Sequence, residues 1–441
     1  MTRSLVLAGG GMRVAWQTGV VRALTEHGLT FDHVDGTSGG ILTSAMILSG
    51  QLPQEMGRRW SQLDVRDFSS LLPVGDYLKG PWALPALGDA DGVVHKVFPA
   101  LGIDVEAVRS SSVAGTFNVV DFVTKTCVPV PHTDVDAALL AAGMSLPLFM
   151  PPLRRDGHVW TDAVWVQDAN VGEALRRGAD EVWLVWCIGN TPDWGDGPLE
   201  QYVHMIEMSA NGALFAELAA ADRPFVLHVV KPTYPLPLDP EFFTGRVSAD
   251  SLVAMGYRDA WGYLDTMRAE GVPKEATCTA MQSPVRGVRL RERLRGEVDG
   301  ADLVLDATLE LSLPREGHGG ARLVGHIDYE PWGGRVLLAS GRIEVDAAAV
   351  VYRARALVHG QWREVSARRE MSDDPGFDAW TDARTVAFSA GDCAGELRLS
   401  VMEAARALAS VEPVGAHGFA DRAGALAHLA DVGLRRALAT Y

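Results

Sequence analysis

The sequence predicts an α/β sandwich with a mostly parallel sheet, followed by a β-rich domain of sandwich type. Three observations carry that expectation. Over roughly the first 280 residues, short apolar runs such as Ser4–Ala8 alternate with helix-length patterns, as strands covered on both faces do. Further on, Leu303, Leu305, Ala307, Leu309 and Leu311 alternate with Val304, Asp306, Thr308, Glu310 and Ser312, which describes a strand with one dry and one wet face. Between the two regimes lie Gly271-Val272-Pro273 and Ser283-Pro284. The expected domains are therefore 1–275 and 285–441.

Taken in order, Ser4–Ala8 reads as a buried strand that runs into Gly9-Gly10-Gly11, and Val14–His27 as a helix. A second strand ends at His33–Gly36 and the helix Gly39–Leu48 starts at once. Leu71 to Pro99 is punctuated by proline and glycine yet carries Trp82, Leu84, Leu87 and Phe98. Such a segment packs over the sheet or forms a lid above a site. Phe117–Val123 and Val182–Ile188 are β-branched and aromatic, hence strands. In the second domain Gly319-Gly320 and Gly333-Gly334 space out further strands, including Arg342–Val345 and Val350–Val358, and the chain closes on helical spacing at Ala425–Tyr441.

Composition narrows the function. The chain has 441 residues, 47% hydrophobic and 22% charged, ordinary for a globular protein of two or three domains. A net charge of −16 argues against nucleic acid as a partner, because that affinity rests on neutralising phosphates. Cys127, Cys187, Cys278 and Cys393 are widely spaced and suggest neither a zinc site nor a disulfide framework; the first two read as core thiols. The early apolar run is too short for a signal peptide, so a cytoplasmic protein is expected, peripheral at the membrane if it touches one.

Chemistry concentrates in three places. Gly36-Thr37-Ser38-Gly39-Gly40 follows a strand and opens a helix, the context in which a tight turn projects a nucleophilic serine. Gly9-Gly10-Gly11-Met12-Arg13 follows the first strand and offers several backbone N–H groups to one anion. It is not a P-loop, since no Gly-Lys-Ser/Thr follows, and Val14 stands where a dinucleotide fingerprint has its last glycine. For the base, His158, His204 and His228 have no telling context. The apolar approach Leu146-Pro147-Leu148-Phe149-Met150-Pro151-Pro152 instead leads to Trp160-Thr161-Asp162-Ala163. A carboxylate delivered into so dry a place can gain the basicity to work on a serine hydroxyl. Asp168, six residues on, ranks behind it.

These three blocks, in this order, resemble the patatin-like phospholipases over about residues 1–270, and Met255-Gly256-Tyr257-Arg258-Asp259-Ala260 is similar to a helix near the end of that domain. The resemblance implies a three-layer patatin-like sandwich and a Ser-Asp dyad without catalytic histidine, acting on acyl esters of lipids. Ser38 would be the nucleophile and Asp162 the base. Gly9, Gly10, Gly11 and Met12 would supply the oxyanion amides and Arg13 would anchor their loop, with no cofactor and no metal. The chain departs from the family at Val14, where glycine is usual, and at Asp162-Ala163-Val164, where Asp-Gly-Gly or Asp-Gly-Ala is usual; Val164 is β-branched and resists positive φ. The expected activity is hydrolysis through an acyl-enzyme on Ser38. An acyltransferase would use the same dyad, and a lipid-binding scaffold could keep the fold alone.

The second domain has a looser resemblance. Arg289 to Gly296, Gly325-His326-Ile327-Asp328 to Gly341, and Asp373-Asp374-Pro375-Gly376-Phe377-Asp378 resemble an accessory domain found beside bacterial lipid hydrolases and GMC-type oxidoreductases. No flavin fingerprint accompanies it. Arg289, Arg291, Arg293 and Arg295 share one strand face, read first as a solvated face balanced by acids and second as a dock for phosphate headgroups. Asp373-Asp374 reads as a turn before it reads as a calcium site.

Overall fold

The structure, a computed structural model, describes residues 1–68, 70–78, 80, 83–237, 247–313, 320–345, 349–370, 379–416 and 418–440, with the backbone alone for 379–380 and 432–440. Trp82 and the Asp373-Asp374 turn lie outside the described residues. The chain forms two compact units, Met1–Gln282 and Ser283–Tyr441.

In the first unit, β1 (Arg3–Leu7), β2 (His33–Thr37), β3 (Ala114–Asp121), β7 (Glu181–Val185) and β8 (Val226–Val230) run parallel. Three shorter strands, β4 (Thr126–Pro131), β5 (Leu153–Arg155) and β6 (His158–Asp162), complete an eight-stranded sheet. Here the expectation of a mostly parallel sheet is only partly met. β4 and β6 run antiparallel to β3, and β5 antiparallel to β6. The physical reason is connection length: β3 to β4 and β5 to β6 are joined by short turns, which only antiparallel neighbours allow.

Both faces of the parallel part of the sheet are dry. Val6, Ala8, Val182, Leu184, Leu227 and Val229 pack with Val171, Ala174, Ala210 and Leu214, the last two from α4 (Pro198–Ala220). Leu5, Leu7 and Val185 alternate with them and are equally buried. Helix α1 (Ala15–Glu26) crosses α5 (Ala249–Leu264) so closely that a Cβ on Gly256 would lie 1.8 Å from the Trp16 carbonyl oxygen. α2 (Gly40–Leu48) and α3 (Pro53–Gln62) complete the set of longer helices.

The register of β3 positions the site. β4 pairs with Thr116–Asp121 along one edge. On the opposite edge β2 pairs up to Thr37↔Asn118, and β6, arriving from the other direction, pairs from Asp162↔Val119. Two strands thus meet end to end, and the residues that leave them are Ser38 and Asp162.

The second unit is antiparallel throughout. Its strands are β9 (Gly287–Val298), β10 (Ala301–Ser312), β11 (Ala321–Tyr329), β12 (Gly334–Val345), β13 (Ala349–Val358), β14 (Gln361–Glu370), β15 (Thr385–Ala390), β16 (Cys393–Arg398) and β17 (Glu412–Val414). Each of β9 to β15 pairs with its successor, and β16 returns to pair with β9 through Arg398↔Arg295. The sandwich expected here is therefore a closed barrel. Closure pairs the free edges that a sandwich leaves open. Helix α6 (Val401–Ala409), β17 and helix α7 (Gly418–Thr440) follow it.

Leu294, Leu305, Ile327, Leu338, Ala356, Val365 and Phe388 belong to the barrel core. Among them stands a buried polar triad, in which Arg369 and the Tyr352 hydroxyl each donate to Glu292 Oε2 at 2.9 Å. On the outer face Arg289 pairs with Glu310 and Glu412 at 2.9 and 2.8 Å, and Arg293 lies 3.9 Å from Asp306. Glu310 and Asp306 stand directly opposite on β10 and Glu412 opposite on β17, so Arg289 and Arg293 of the arginine stripe have counter-charges beside them.

Candidate functional site

The turn between β2 and α2 explains the glycines of Gly36-Thr37-Ser38-Gly39-Gly40. Ser38 has φ 53°, a left-handed conformation that a non-glycine residue holds only when its surroundings impose it. α2 starts so close to β1 that a Cβ on Gly40 would meet the Leu7 carbonyl oxygen at 2.1 Å. The serine hydroxyl is thereby lifted off the sheet into a buried position.

There Ser38 Oγ donates to Asp162 Oδ2 at 2.7 Å. Asp162 is fully covered, and burial pushes its carboxyl up to about 7. Hydrogen bonds to the carboxylate oppose the shift: from Ser38, from the Val164 amide to Oδ1 at 2.8 Å, and from the Ala163 amide. Val164, where the resembled family has glycine or alanine, has no positive φ, so its branched side chain imposes no strain there. Val14 likewise fits: it is buried at the start of α1 in right-handed helical geometry.

The glycine turn behaves less uniformly than its sequence suggested. Arg13 anchors it, with Nε donating to the Gly10 carbonyl at 3.0 Å. The Gly10 and Gly11 amides find no acceptor among the described residues, and Gly10, Gly11, Met12 and Arg13 line the same cavity as Ser38. Gly9 is a correction. Its amide donates to Asp168 Oδ1 at 2.8 Å, so it is not available to a substrate oxyanion.

The cavity has a volume of about 440 Å³. Apart from Arg13, Ser38, Ser70, Asp89, Tyr202 and Asp162 its walls are apolar or glycine. Leu42, Met144, Leu146, Phe149, Val164 and Ile188 come from around the sheet, and Leu199, Tyr202, Val203 and Ile206 come from α4. No histidine is among its described lining residues. His204 lies between the Gly195 amide and Glu207, His228 stacks on Trp183, and His158 pairs with Asp121.

The segment expected as a lid contributes Leu71, Leu87, Gly88, Asp89 and Val93 to the cavity wall. It is joined to the proline-rich approach by the Leu87 amide on the Leu148 carbonyl at 2.8 Å and the Gly88 amide on the Phe149 carbonyl at 3.1 Å. Sequence reasoning missed the α4 wall, although Leu199, Tyr202, Val203 and Ile206 recur at helical spacing. It also ranked Asp168 low, although that side chain is completely buried beside the glycine turn.

Comparison with known proteins finds similarity in the first part of the chain. Residues 5–175 match the patatin-like phospholipase family model. "Patatin-like phospholipase domain-containing protein 6" of Homo sapiens is 30% identical over 188 residues, which are 41% of this chain and 13% of that protein. "Neuropathy target esterase sws" of Drosophila melanogaster is 28% identical over 188 residues, 40% of this chain and 12% of that protein. The chain thus spans a small part of these relatives. Among solved structures, VipD from Legionella pneumophila aligns over 60% of this chain and 67% of its own, with 14% identity and a TM-score of 0.31. Among the described residues no helix is long and apolar enough to cross a membrane.

Proposed function

We propose that the first unit is a serine acyl-lipid hydrolase of the phospholipase A, lysophospholipase or esterase type. The reading rests on one observation above the others: the buried 2.7 Å hydrogen bond from Ser38 Oγ to Asp162 Oδ2. In this mechanism Ser38 Oγ attacks the ester carbonyl carbon while Asp162 takes the hydroxyl proton. The Gly10 and Gly11 amides, with Met12 next in the turn, receive the charge that forms on the carbonyl oxygen. The carbonyl–oxygen bond to the alcohol then breaks, and Asp162 returns its proton to the departing alcohol. Water attacks the acyl-enzyme, giving Asp162 a proton that passes back to Ser38 as the fatty acid leaves. The apolar cavity suits the acyl chain, and every step uses groups of this chain.

The test combines a fluorophosphonate probe with p-nitrophenyl esters of graded chain length. Wild type is expected to be labelled at Ser38 and to turn the esters over. Ser38→Ala should lose both, and Asp162→Asn should lose turnover by roughly 10²–10⁴-fold. A wild type that takes no label supports a scaffold instead, and labelling with little hydrolysis points to acyl transfer.

A further inference from the structure

We propose that Asp168 is a positioning residue of this site: its buried carboxyl captures the Gly9 amide and so aims the next two amides at the oxygen bound to Ser38. The proposal rests on the hydrolase reading above and extends it to a residue outside the dyad.

The geometry is specific. Gly9 lies between two side chains, such that a Cβ there would come within 2.5 Å of Asp168 Oδ1 and 2.9 Å of Ser38 Cβ. The serine, the glycine turn and Asp168 therefore form one packed layer. The Gly9 amide donates to Asp168 Oδ1 at 2.8 Å. Gly10 is held from its other side by Arg13 Nε on its carbonyl. The turn is thus held at consecutive residues, one amide by an acid and one carbonyl by a base. The amides left over are those that line the cavity with Ser38.

The choice of an acid here has a cost. Asp168 is wholly buried, and its Oδ2 has no hydrogen-bond partner among the described residues. Leaving a buried polar atom unpaired costs about 1–3 kcal/mol, so this position is not optimised for stability. Burial, and then the nearby Asp162, push the Asp168 carboxyl up to about 8, opposed by the Gly9 amide and Arg13. Asp162 ionises first, because more hydrogen bonds reach its carboxylate. Where the two carboxyls share a single charge, the hydrogen bonds favour placing it on Asp162 beside Ser38 and leaving a neutral acid under the glycine turn. Two carboxyls separated this way by their surroundings take different roles. Above about pH 8 Asp168 ionises, and its charge opposes the developing oxyanion.

The experiment compares wild type, Asp168→Asn and Asp168→Ala, with Ser38→Ala as the blank. Ester hydrolysis is followed from pH 5 to 10, and amide hydrogen exchange is followed over residues 8–13. Asp168→Ala is expected to lower kcat by roughly 10²-fold with KM little changed, and to speed exchange of the Gly9 amide. Asp168→Asn keeps the acceptor oxygen; it should restore kcat to within a few-fold, keep Gly9 protected and lack the wild-type decline above about pH 8. The proposal is overturned if Asp168→Ala keeps wild-type kcat or Gly9 protection, or if Asp168→Asn retains the alkaline decline. If Asp168→Ala does not fold, the pH profile and exchange of Asp168→Asn decide. A wild type without turnover or label defeats the hydrolase reading, and hydrogen exchange still judges the contact between Asp168 and Gly9.

Discussion

A carboxylate can serve as base to a serine hydroxyl only where water does not stabilise its charge, and Asp162 meets that condition at the expense of stability. Its carboxyl is raised from the usual 3.8 to about 7. Between those values the folded protein keeps a proton that the unfolded chain has released, so stability falls as pH rises from about 4 to 7. Asp168 adds the same trend up to about 8. Replacing Asp162 by Asn removes the ionisation. That variant is expected to melt above wild type at pH 8, by on the order of 2 kcal/mol or roughly 5 °C, and the gain should shrink toward pH 4. Differential scanning calorimetry at both pH values checks this, and equal gains at the two would contradict it. In the proposed hydrolase activity would run the opposite way, since there Asp162 acts as the base and must be charged: kcat should climb with pH through about 7. The resemblance of the motif blocks already paired Ser38 with Asp162. It could not assign the Gly9 amide, because its acceptor stands 159 residues away.

At the scale of elements, the turn from β2 into α2 is where local pattern and tertiary packing agree. Glycine spacing after a strand and before a helix was enough to place the serine, since a left-handed residue at 38 and a close approach at 40 are local demands. The approach is tight enough to test. Gly40→Ala puts a methyl group against the Leu7 carbonyl and is expected to cost about 1–3 kcal/mol. The cost would be read as a lower urea midpoint, together with slower fluorophosphonate labelling of Ser38. An unchanged midpoint would mean that the gap between β1 and α2 opens freely. Strand direction was less legible. β4 and β6 mix polar with apolar residues and are less buried than their parallel neighbours, and such composition does not report the direction of a partner. Leu303 to Ser312 shows the converse limit. Its alternation correctly predicted a strand with one dry face, but that pattern is the same in a sandwich and in a barrel. The turn residues held more information than was read from them. Asp299-Gly300 and His359-Gly360 both have positive φ and join consecutive strands, as two-residue hairpin turns do.

For the molecule as a whole, the two units rest on different physics. The first buries a sheet on both faces and sets its chemistry where two strands meet. The second closes on itself around an apolar core with one charged triad inside. Burial of Arg369 and Glu292 together is tolerable only because each completes the other. Arg369→Leu leaves Glu292 buried without its cation and is expected to destabilise the barrel by about 3–5 kcal/mol, seen as an earlier unfolding transition. Labelling of Ser38 under native conditions should continue at the wild-type rate. Loss of that labelling would tie the barrel to the site in the first unit.

The amino-acid order by itself determined the α/β character of the first part, the β-rich character of the second and the turn that carries Ser38. Each of these is written in short-range pattern, in which side-chain period and glycine placement act within a few residues. Tertiary structure alone decided that β2 and β6 meet end to end on β3, that Gly9 turns to Asp168, that α4 walls the cavity and that β16 returns to β9. Those outcomes depend on register and burial between segments about a hundred residues or more apart, and such pairings are settled by the packing of the whole chain.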